Sequence, residues 1–395
     1  MSNHIIIKNR LEKFNKKIKV SSDKSISIRS VLLASQAIGT SKISNLLESE
    51  DVINALKTIK KLGINYRKIN NTYHIYGFGL NGFNFKKKIT LNAGNSGTLA
   101  RLILGLLVKS KNKVKVIGDK SLSKRDFSRV IKPLKKFGAS FSLKKTLPLT
   151  MKGINKPKSI DYIENKGSAQ CKTSIMLAAL KSEGVTKIKA KKSRDHTEIL
   201  FKYLKIPLRI KKYKKYDIIQ IKGVKNIKPL NYKIPGDISS CSFFIVLTIL
   251  SEDSKLLIKN VNINPSRIGI IDILKKMGAS IKILNKKNYK GEKTADIFVK
   301  SSKNLKAINC PTKYNSRAID EFLIIFLVAA KSKGISIFKN LAELNQKESP
   351  RLIWGSKILN YMGIRTKLTR NSIKIYGNPN LIIENNIKIK NFLKD

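Results

Sequence analysis

Residues 51–63 read DVINALKTIKKLG, and the reading of this phrase decides the fold. Val52, Ala55, Leu56, Ile59 and Leu62 recur at helical spacing, so the stretch predicts an amphipathic helix with one apolar face. Gly63 suits the left-handed residue that closes such a helix, and the INYRKI that follows predicts a strand. The same helix–glycine–strand phrase returns as RVIKPLKKFGASFSL (129–143), GIIDILKKMGASIKIL (269–284) and SKILNYMGIRTKL (356–368). A degenerate copy, EILFKYLKIPLRI (198–210), has Ile206-Pro207 where the glycine is expected.

Each copy follows a second shared phrase: a small or polar turn, an apolar helix, then a strand. These phrases are DKSISIRSVLLASQAIGTSKI, GNSGTLARLILGLLVKSKNKVKVI, KGSAQCKTSIMLAALKSEGVTKIKA, GDISSCSFFIVLTILSEDSKLLIK and RAIDEFLIIFLVAAKSKGISIFK, starting near 23, 94, 166, 236 and 317. The step exceeds solenoid periods of ~20–50 residues, so each unit is expected to be a small α/β subdomain. A sixth unit would begin near residue 395. Five of six are therefore expected here, with one helix-and-sheet face left uncovered.

A chain of 395 residues is long enough for two domains with real cores. Apolar runs are spread along its length, and none approaches the ~20 residues of a membrane helix. The opening MSNHIIIKNR lacks the apolar run of a signal peptide. Cys171, Cys241 and Cys310 are odd in number and scattered, which favours a reducing cytoplasm over a disulfide framework or zinc site. His4, His74 and His196 are too dispersed for a metal cluster. There is no Walker loop, no HExxH and no dinucleotide fingerprint after a strand.

The formal charge of +56 invites a nucleic-acid reading. About 68 Lys stand against about 13 Arg, and Ile and Asn are also abundant. All three enriched types have A/T-rich codons, which points to genome composition. The lysines form no stripe, and aromatic residues do not interleave with them as in a stacking groove. A solvated, lysine-coated surface is the preferred reading.

Chemistry belongs where the repeated helices open. A helix N-terminus carries unpaired N–H groups and partial positive charge, so cations there are unfavourable unless anions sit between. Lys24 and Arg29 surround an opening capped by Asp23 or Ser25; Arg101 follows Gly94-Asn95-Ser96-Gly97-Thr98; Lys172 follows Ser168-Ala169-Gln170. The scarce arginines concentrate there: Arg29, Arg101, Arg125, Arg194, Arg267, Arg317 and Arg351 lie in or beside repeat-opening turns. Asp320 opens an apolar helix, as an N-cap or a proton-transfer group. Glu348 in QKESPR is a surface ion-pair partner or another such group, and Ser349-Pro350 suit an N-cap and first helical position.

DKSISIRS, LLESEDVINALK, GNSGTLAR, GDKSLSKRDFSRVIKPL, SAQCKTS, SRDHTE, PGDISS, NPSR, IDEF and KESPRL follow one another along the chain. In this order they resemble the EPSP synthase family (3-phosphoshikimate 1-carboxyvinyltransferase), more its second class than its first. The resemblance implies a two-domain α/β (α+β) enolpyruvyl transferase fold of repeated βαβαββ units with substrates in the cleft. One domain would span 20–234 with three units, and the other 1–19 plus 235–395 with two of its three. It implies that Lys24, Ser25, Arg29, Ser168, Ala169, Gln170, Arg194, Asp320 and Lys347 hold shikimate 3-phosphate. Lys24, Gly97, Arg125, Gln170 and Arg351 would face phosphoenolpyruvate, with room for glyphosate at Gly97. Asp320 would take the proton of the attacking 5-hydroxyl, and Glu348 or Lys24 would protonate the methylene carbon. Neither metal nor organic cofactor is implied, and a cytoplasmic monomer without nucleic-acid or membrane partners is expected.

Against the family pattern, Ser21-Ser22 replace Pro-Gly, and Asp126 replaces a Pro where it would compete for Arg125. Asn345-Gln346 and Pro350 alter the KES neighbourhood. Asp395 matches the first letter of the family's Asp-His-Arg motif, so the Arg and Lys beyond it are expected to be lacking and phosphate release weak or absent. An inactive fragment of that enzyme is thus one alternative. UDP-N-acetylglucosamine enolpyruvyl transferase, a same-fold rival, uses a loop Cys that GDKSLSKRD lacks.

Overall fold

The computed structural model describes residues 11–85, 88–347 and 349–382. They fall into two compact units, one of 21–237 with 288–293, the other of 11–20, 238–287 and 294–382.

The sheets repeat one strand order. In the copy over 88–152, Lys88–Asn92 pairs in parallel with Lys113–Ile117, which pairs antiparallel with Leu149–Lys152, and that strand with Ser140–Phe141. The order is thus first, second, fourth, third. The parallel pair needs a crossover, which helix Gly97–Leu106 supplies. Asp161–Glu164, Val185–Lys191, Tyr216–Lys222 and Leu208–Lys212 repeat it. In the first copy the edge position falls to Asn231–Lys233, nearly 190 residues downstream of its parallel partner Ile38–Ser44. In the fourth, Asn15–Lys19 takes the same place beside Lys255–Asn262. The fifth keeps three strands, Gly334–Phe338, Ile373–Gly377 and Thr366–Leu368, with only isolated parallel bridges at Lys306 and Asn309 on the outer edge.

Two helix types alternate within the copies. Glu50–Lys61 buries Val52, Ala55, Leu56 and Ile59 and exposes its lysines, as its pattern requires. Its end is a Schellman turn: Gly63 N–H reaches Lys60 O at 3.0 Å and Ile64 N–H reaches Ile59 O at 3.0 Å. The same pair of bonds closes Ser128–Lys136, Gly269–Lys276 and Arg351–Tyr361. In the degenerate copy the left-handed residue is Lys205, with φ +56°, and the expectation at Ile206-Pro207 is corrected by one position. Proline's fixed negative φ excludes it from that role.

The helices that open the copies are apolar nearly all round, a composition that suits burial on every side. In the first unit Lys24–Ala34, Gly97–Leu106 and Ala169–Ala179 bury almost every residue. Gly105 lets two of them touch, for a Cβ there would stand 2.2 Å from the Ser174 carbonyl oxygen. In the second unit Ile238–Leu250 and Phe322–Ala330 pack on the Ile258, Ile297 and Phe338 core. Phe243, Phe244 and Leu247 of the former remain 62, 41 and 46 % exposed. Among the described residues no helix is long and apolar enough to cross a membrane.

Candidate active site

In the first unit the three apolar helices run side by side with their amino ends together. Gln170, in the first turn of its helix, donates to Thr98 Oγ1 at 3.0 Å and accepts from Arg101 at 3.0 Å. Thr98 lies in the first turn of the neighbouring helix, and Gly105 and Ser174 meet further along, so the two helices run in parallel. Arg29 of the third helix reaches Thr173 at 3.2 Å. Each end is capped by its own turn residue: Asp23 accepts from Ile26 N–H at 2.8 Å, Ser96 from Leu99 at 3.3 Å and Ser168 from Cys171 at 3.2 Å. Between Asp23 and Ser25 as cap, the structure selects Asp23.

Three positive helix ends with arginines beside them concentrate positive potential, an arrangement suited to anions. Arg29 is 4 % exposed; its Nε donates to Thr197 Oγ1 at 2.9 Å and Nη1 to the Ser25 carbonyl at 2.9 Å. Around Gly97, a Cβ would lie 2.6 Å from Arg101 Nη1 and 3.0 Å from Arg125 Nη1, so the missing side chain leaves room for both guanidinium groups. Arg101 also stacks over Phe127, 4.9 Å from the ring centre. Asn95 sets the direction of Arg125: its amide donates to Asp119 at 2.5 Å and its oxygen accepts from Arg125 at 3.0 Å.

Other residues singled out in the sequence have surroundings of their own. Lys172 is buried and paired at 2.5 Å with Glu198, so the carboxylate already answers its charge. Lys24 is half-exposed, with Nζ 3.0 Å from Asp51, and its backbone N–H faces Asp237 at 3.3 Å. Ser22, in the variant turn, bridges to Gly236. Asp126 is engaged by Ser128, whose N–H and hydroxyl reach it at 2.8 and 2.5 Å. Burial pushes the Asp126 carboxyl up, but the Ser128 bonds with the Arg129 and Lys145 charges outweigh it and hold the group below its ordinary value. Ala169 opens its helix, and Arg194 is half-buried in the loop before His196–Tyr203.

In the second unit Asp320 and Glu321 take different partners. Asp320 meets Lys347 Nζ at 3.2 Å and Arg351 Nη1 at 3.5 Å, all three about a quarter exposed. Glu321, buried, accepts from Ser239 at 2.5 Å, and Ser239 in turn accepts from Arg267 at 2.7 Å. The helix begins at Phe322 with Glu321 at the cap position and no side-chain cap bond, so Asp320 is not its N-cap. Arg351 itself opens the next helix, with Pro350 at the cap position, one residue later than expected from Ser349-Pro350. The capping oxygen comes from Asn345, which accepts from Leu352 and Ile353 N–H at 3.0 and 3.3 Å. Glu348 and Asp395 lie outside the described residues.

Sequence reasoning gave no structural role to Thr173, Thr197, Asn95, Asp51 or Asn345. Thr197 and Asn95 sit inside SRDHTE and GNSGTLAR, so the motifs contained them without naming their partners. Among the described residues no group of three or more His, Cys, Asp or Glu is placed to hold a metal ion.

The family model for EPSP synthase (3-phosphoshikimate 1-carboxyvinyltransferase) matches residues 8–386. The 3-phosphoshikimate 1-carboxyvinyltransferase of Ruthia magnifica subsp. Calyptogena magnifica is 40% identical over 374 residues, covering 93% of this chain and 84% of that protein. The enzyme of the same name from Clostridium tetani is 39% identical over 358 residues, covering 90% and 80%. The solved EPSP synthase of Acinetobacter baumannii superposes with a TM-score of 0.81 at 36% identity, over 92% of this chain and 82% of that one. The enolpyruvyl transferase NikO from Streptomyces tendae, at 13% identity and a TM-score of 0.70, shares the fold. With its repeated α/β copies and helix ends gathered around arginines, the chain belongs to the EPSP synthase family.

Proposed function

We propose that the chain transfers the enolpyruvyl group of phosphoenolpyruvate to the 5-hydroxyl of shikimate 3-phosphate, releasing phosphate. The observation that carries this reading is the gathering of three helix amino ends with Arg29, Arg101 and Arg125, which suits two multiply charged substrates. Lys24, Ser25, Arg29, Ser168, Ala169, Gln170, Arg194, Asp320 and Lys347 are assigned to shikimate 3-phosphate. Lys24, Gly97, Arg125, Gln170 and Arg351 are assigned to phosphoenolpyruvate.

In the addition step the 5-oxygen bonds to C2 of phosphoenolpyruvate while its proton passes to Asp320. Glu348 or Lys24 delivers a proton to C3, turning methylene into methyl and giving a tetrahedral phosphate-bearing intermediate. In the elimination step the C2–O bond to phosphate breaks, the methyl carbon returns its proton to the same donor, and the proton held by Asp320 leaves with the phosphate. Lys347 and Arg351 beside Asp320 support this assignment, since they put the carboxylate among groups assigned to both substrates. Helix dipoles and arginines that are already oriented stabilise the leaving phosphate without reorganisation. We place this chemistry in a cytoplasmic monomer; three buried cysteines, none in a disulfide, suit a reducing compartment.

The test measures phosphate release from the full chain with both substrates and with each alone. Slow release that needs both substrates and is lost in Asp320→Asn is expected. Release from phosphoenolpyruvate alone, or binding of neither substrate, would overturn the reading.

A further inference from the structure

Arg29 is gripped by two hydroxyls to which the reaction above gives no task. Nε donates to Thr197 Oγ1 at 2.9 Å and Nη2 to Thr173 Oγ1 at 3.2 Å, while the two hydroxyls lie 2.7 Å apart. Both threonines are 1 % exposed. A hydroxyl so deeply buried is unfavourable against the isosteric valine unless its hydrogen bonds offset the loss of water. Here both bonds go to one guanidinium, and Nη1 is tied separately to the Ser25 carbonyl at 2.9 Å. The plane of Arg29 is therefore set from several directions, two of them from a different copy of the repeat.

The chemistry of the grip matters as much as its geometry. Hydroxyl oxygens orient a guanidinium without cancelling its charge. One residue before Thr173 on its own helix, Lys172 instead meets a carboxylate, that of Glu198, at 2.5 Å.

We propose that Thr173 and Thr197 are positioning residues that aim Arg29 at the phosphorylated acceptor; this rests on the assignment of Arg29 to shikimate 3-phosphate. A guanidinium recognises phosphate or carboxylate through a planar fork, so a tilt of that plane weakens binding even when the charge stays.

The test is calorimetric affinity for shikimate 3-phosphate in the full chain, its Thr197→Val and Thr197→Ser variants, Arg29→Lys, and Arg29→Lys combined with Thr197→Val. Thermal midpoints are recorded for each. Thr197→Val is expected to weaken binding about tenfold, the scale of one hydrogen bond to a charged group. Thr197→Ser keeps the hydroxyl and should stay within about twofold of the unaltered chain. On the Arg29→Lys background, Thr197→Val should change affinity by less than about twofold, because a lysine has no fork to aim. An unchanged affinity in Thr197→Val overturns the proposal. So does an equal loss on both backgrounds, which would mark a role in the fold alone. Absence of binding by the unaltered chain overturns the acceptor assignment and the positioning role together, a pattern distinct from the other two.

Discussion

Replacing Lys205 with glycine should make the protein more stable. Lys205 holds φ +56° where Gly63, Gly138, Gly278 and Gly363 hold +88°, +107°, +92° and +80°. The surrounding bonds match as well: Lys205 N–H to Lys202 O at 3.0 Å and Ile206 N–H to Phe201 O at 2.9 Å. A side chain in this region costs about 1–2 kcal/mol, and glycine gives back about 0.5–1 kcal/mol through the greater freedom of the unfolded chain. Lys205→Gly is therefore expected to gain about 0.5–1 kcal/mol. Gly363 offers the reverse experiment without steric interference, because a Cβ there meets nothing within 4 Å. Gly363→Ala should lose about 1 kcal/mol from backbone conformation alone. At Gly63 the added carbon would stand 2.6 Å from the Asn84 carbonyl oxygen, so Gly63→Ala should lose about 2–3 kcal/mol. Urea unfolding, read as the shift in midpoint of the unit concerned, measures all three. A Lys205→Gly chain no more stable than its parent would refute the reasoning, as would equal losses at Gly63 and Gly363.

Further substitutions probe packing, titration and capping. Gly105→Ala puts a carbon 2.2 Å from the Ser174 carbonyl and should cost about 1–3 kcal/mol in urea unfolding, with weaker shikimate 3-phosphate binding because two helix ends move apart. Burial pushes the Cys171 thiol up to about 12 and the Cys310 thiol to about 11, so neither should react with iodoacetamide at pH 8 until the chain is unfolded, as mass spectrometry of labelled peptides will show. Burial, helped by repulsion from Lys109, pulls Lys181 down to about 7 from an ordinary value of 10.5. The unfolded chain then holds more protons across that interval. Stability should climb from about pH 7 to about 10.5 at a slope approaching ~1.4 kcal/mol per unit, and Lys181→Met should remove this contribution. Asn345→Ala should cost about 1 kcal/mol as a lost helix cap and raise the KM for phosphoenolpyruvate by loosening Arg351.

The repeated helices were legible because their signal is local: apolar spacing, a cap and a closing glycine lie within a dozen residues of one another. Glu50–Lys61 and its glycine could be read letter by letter. The strand Asn231–Lys233 could not be placed beside Ile38–Ser44, since nothing in NYK names a partner so far upstream. Capping misled twice. Asp320 has the right residue type for an N-cap, but the helix starts at Phe322 and the carboxylate turns to Lys347 and Arg351. Ser349 likewise yields to Asn345, which reaches forward seven residues to Leu352 N–H. At the candidate site the scarce arginines stood out against the lysine background, whereas the hydroxyls that hold Arg29 did not. Thr197 lies 168 positions away, and threonine carries no charge to draw notice.

The exposed stripe of Phe243, Phe244 and Leu247 has a colloidal consequence. At low ionic strength a formal charge of +56 repels one molecule from the next before the stripes can meet. Near 1 M salt the Debye length contracts to about 3 Å and that barrier is gone, while sulfate strengthens apolar adhesion. Solutions of this protein should therefore be clearest in dilute buffer and scatter light as ammonium sulfate is added, the reverse of the salting-in expected where attraction between opposite charges drives association. Phe243→Lys and Leu247→Lys together should move that clouding point to higher salt.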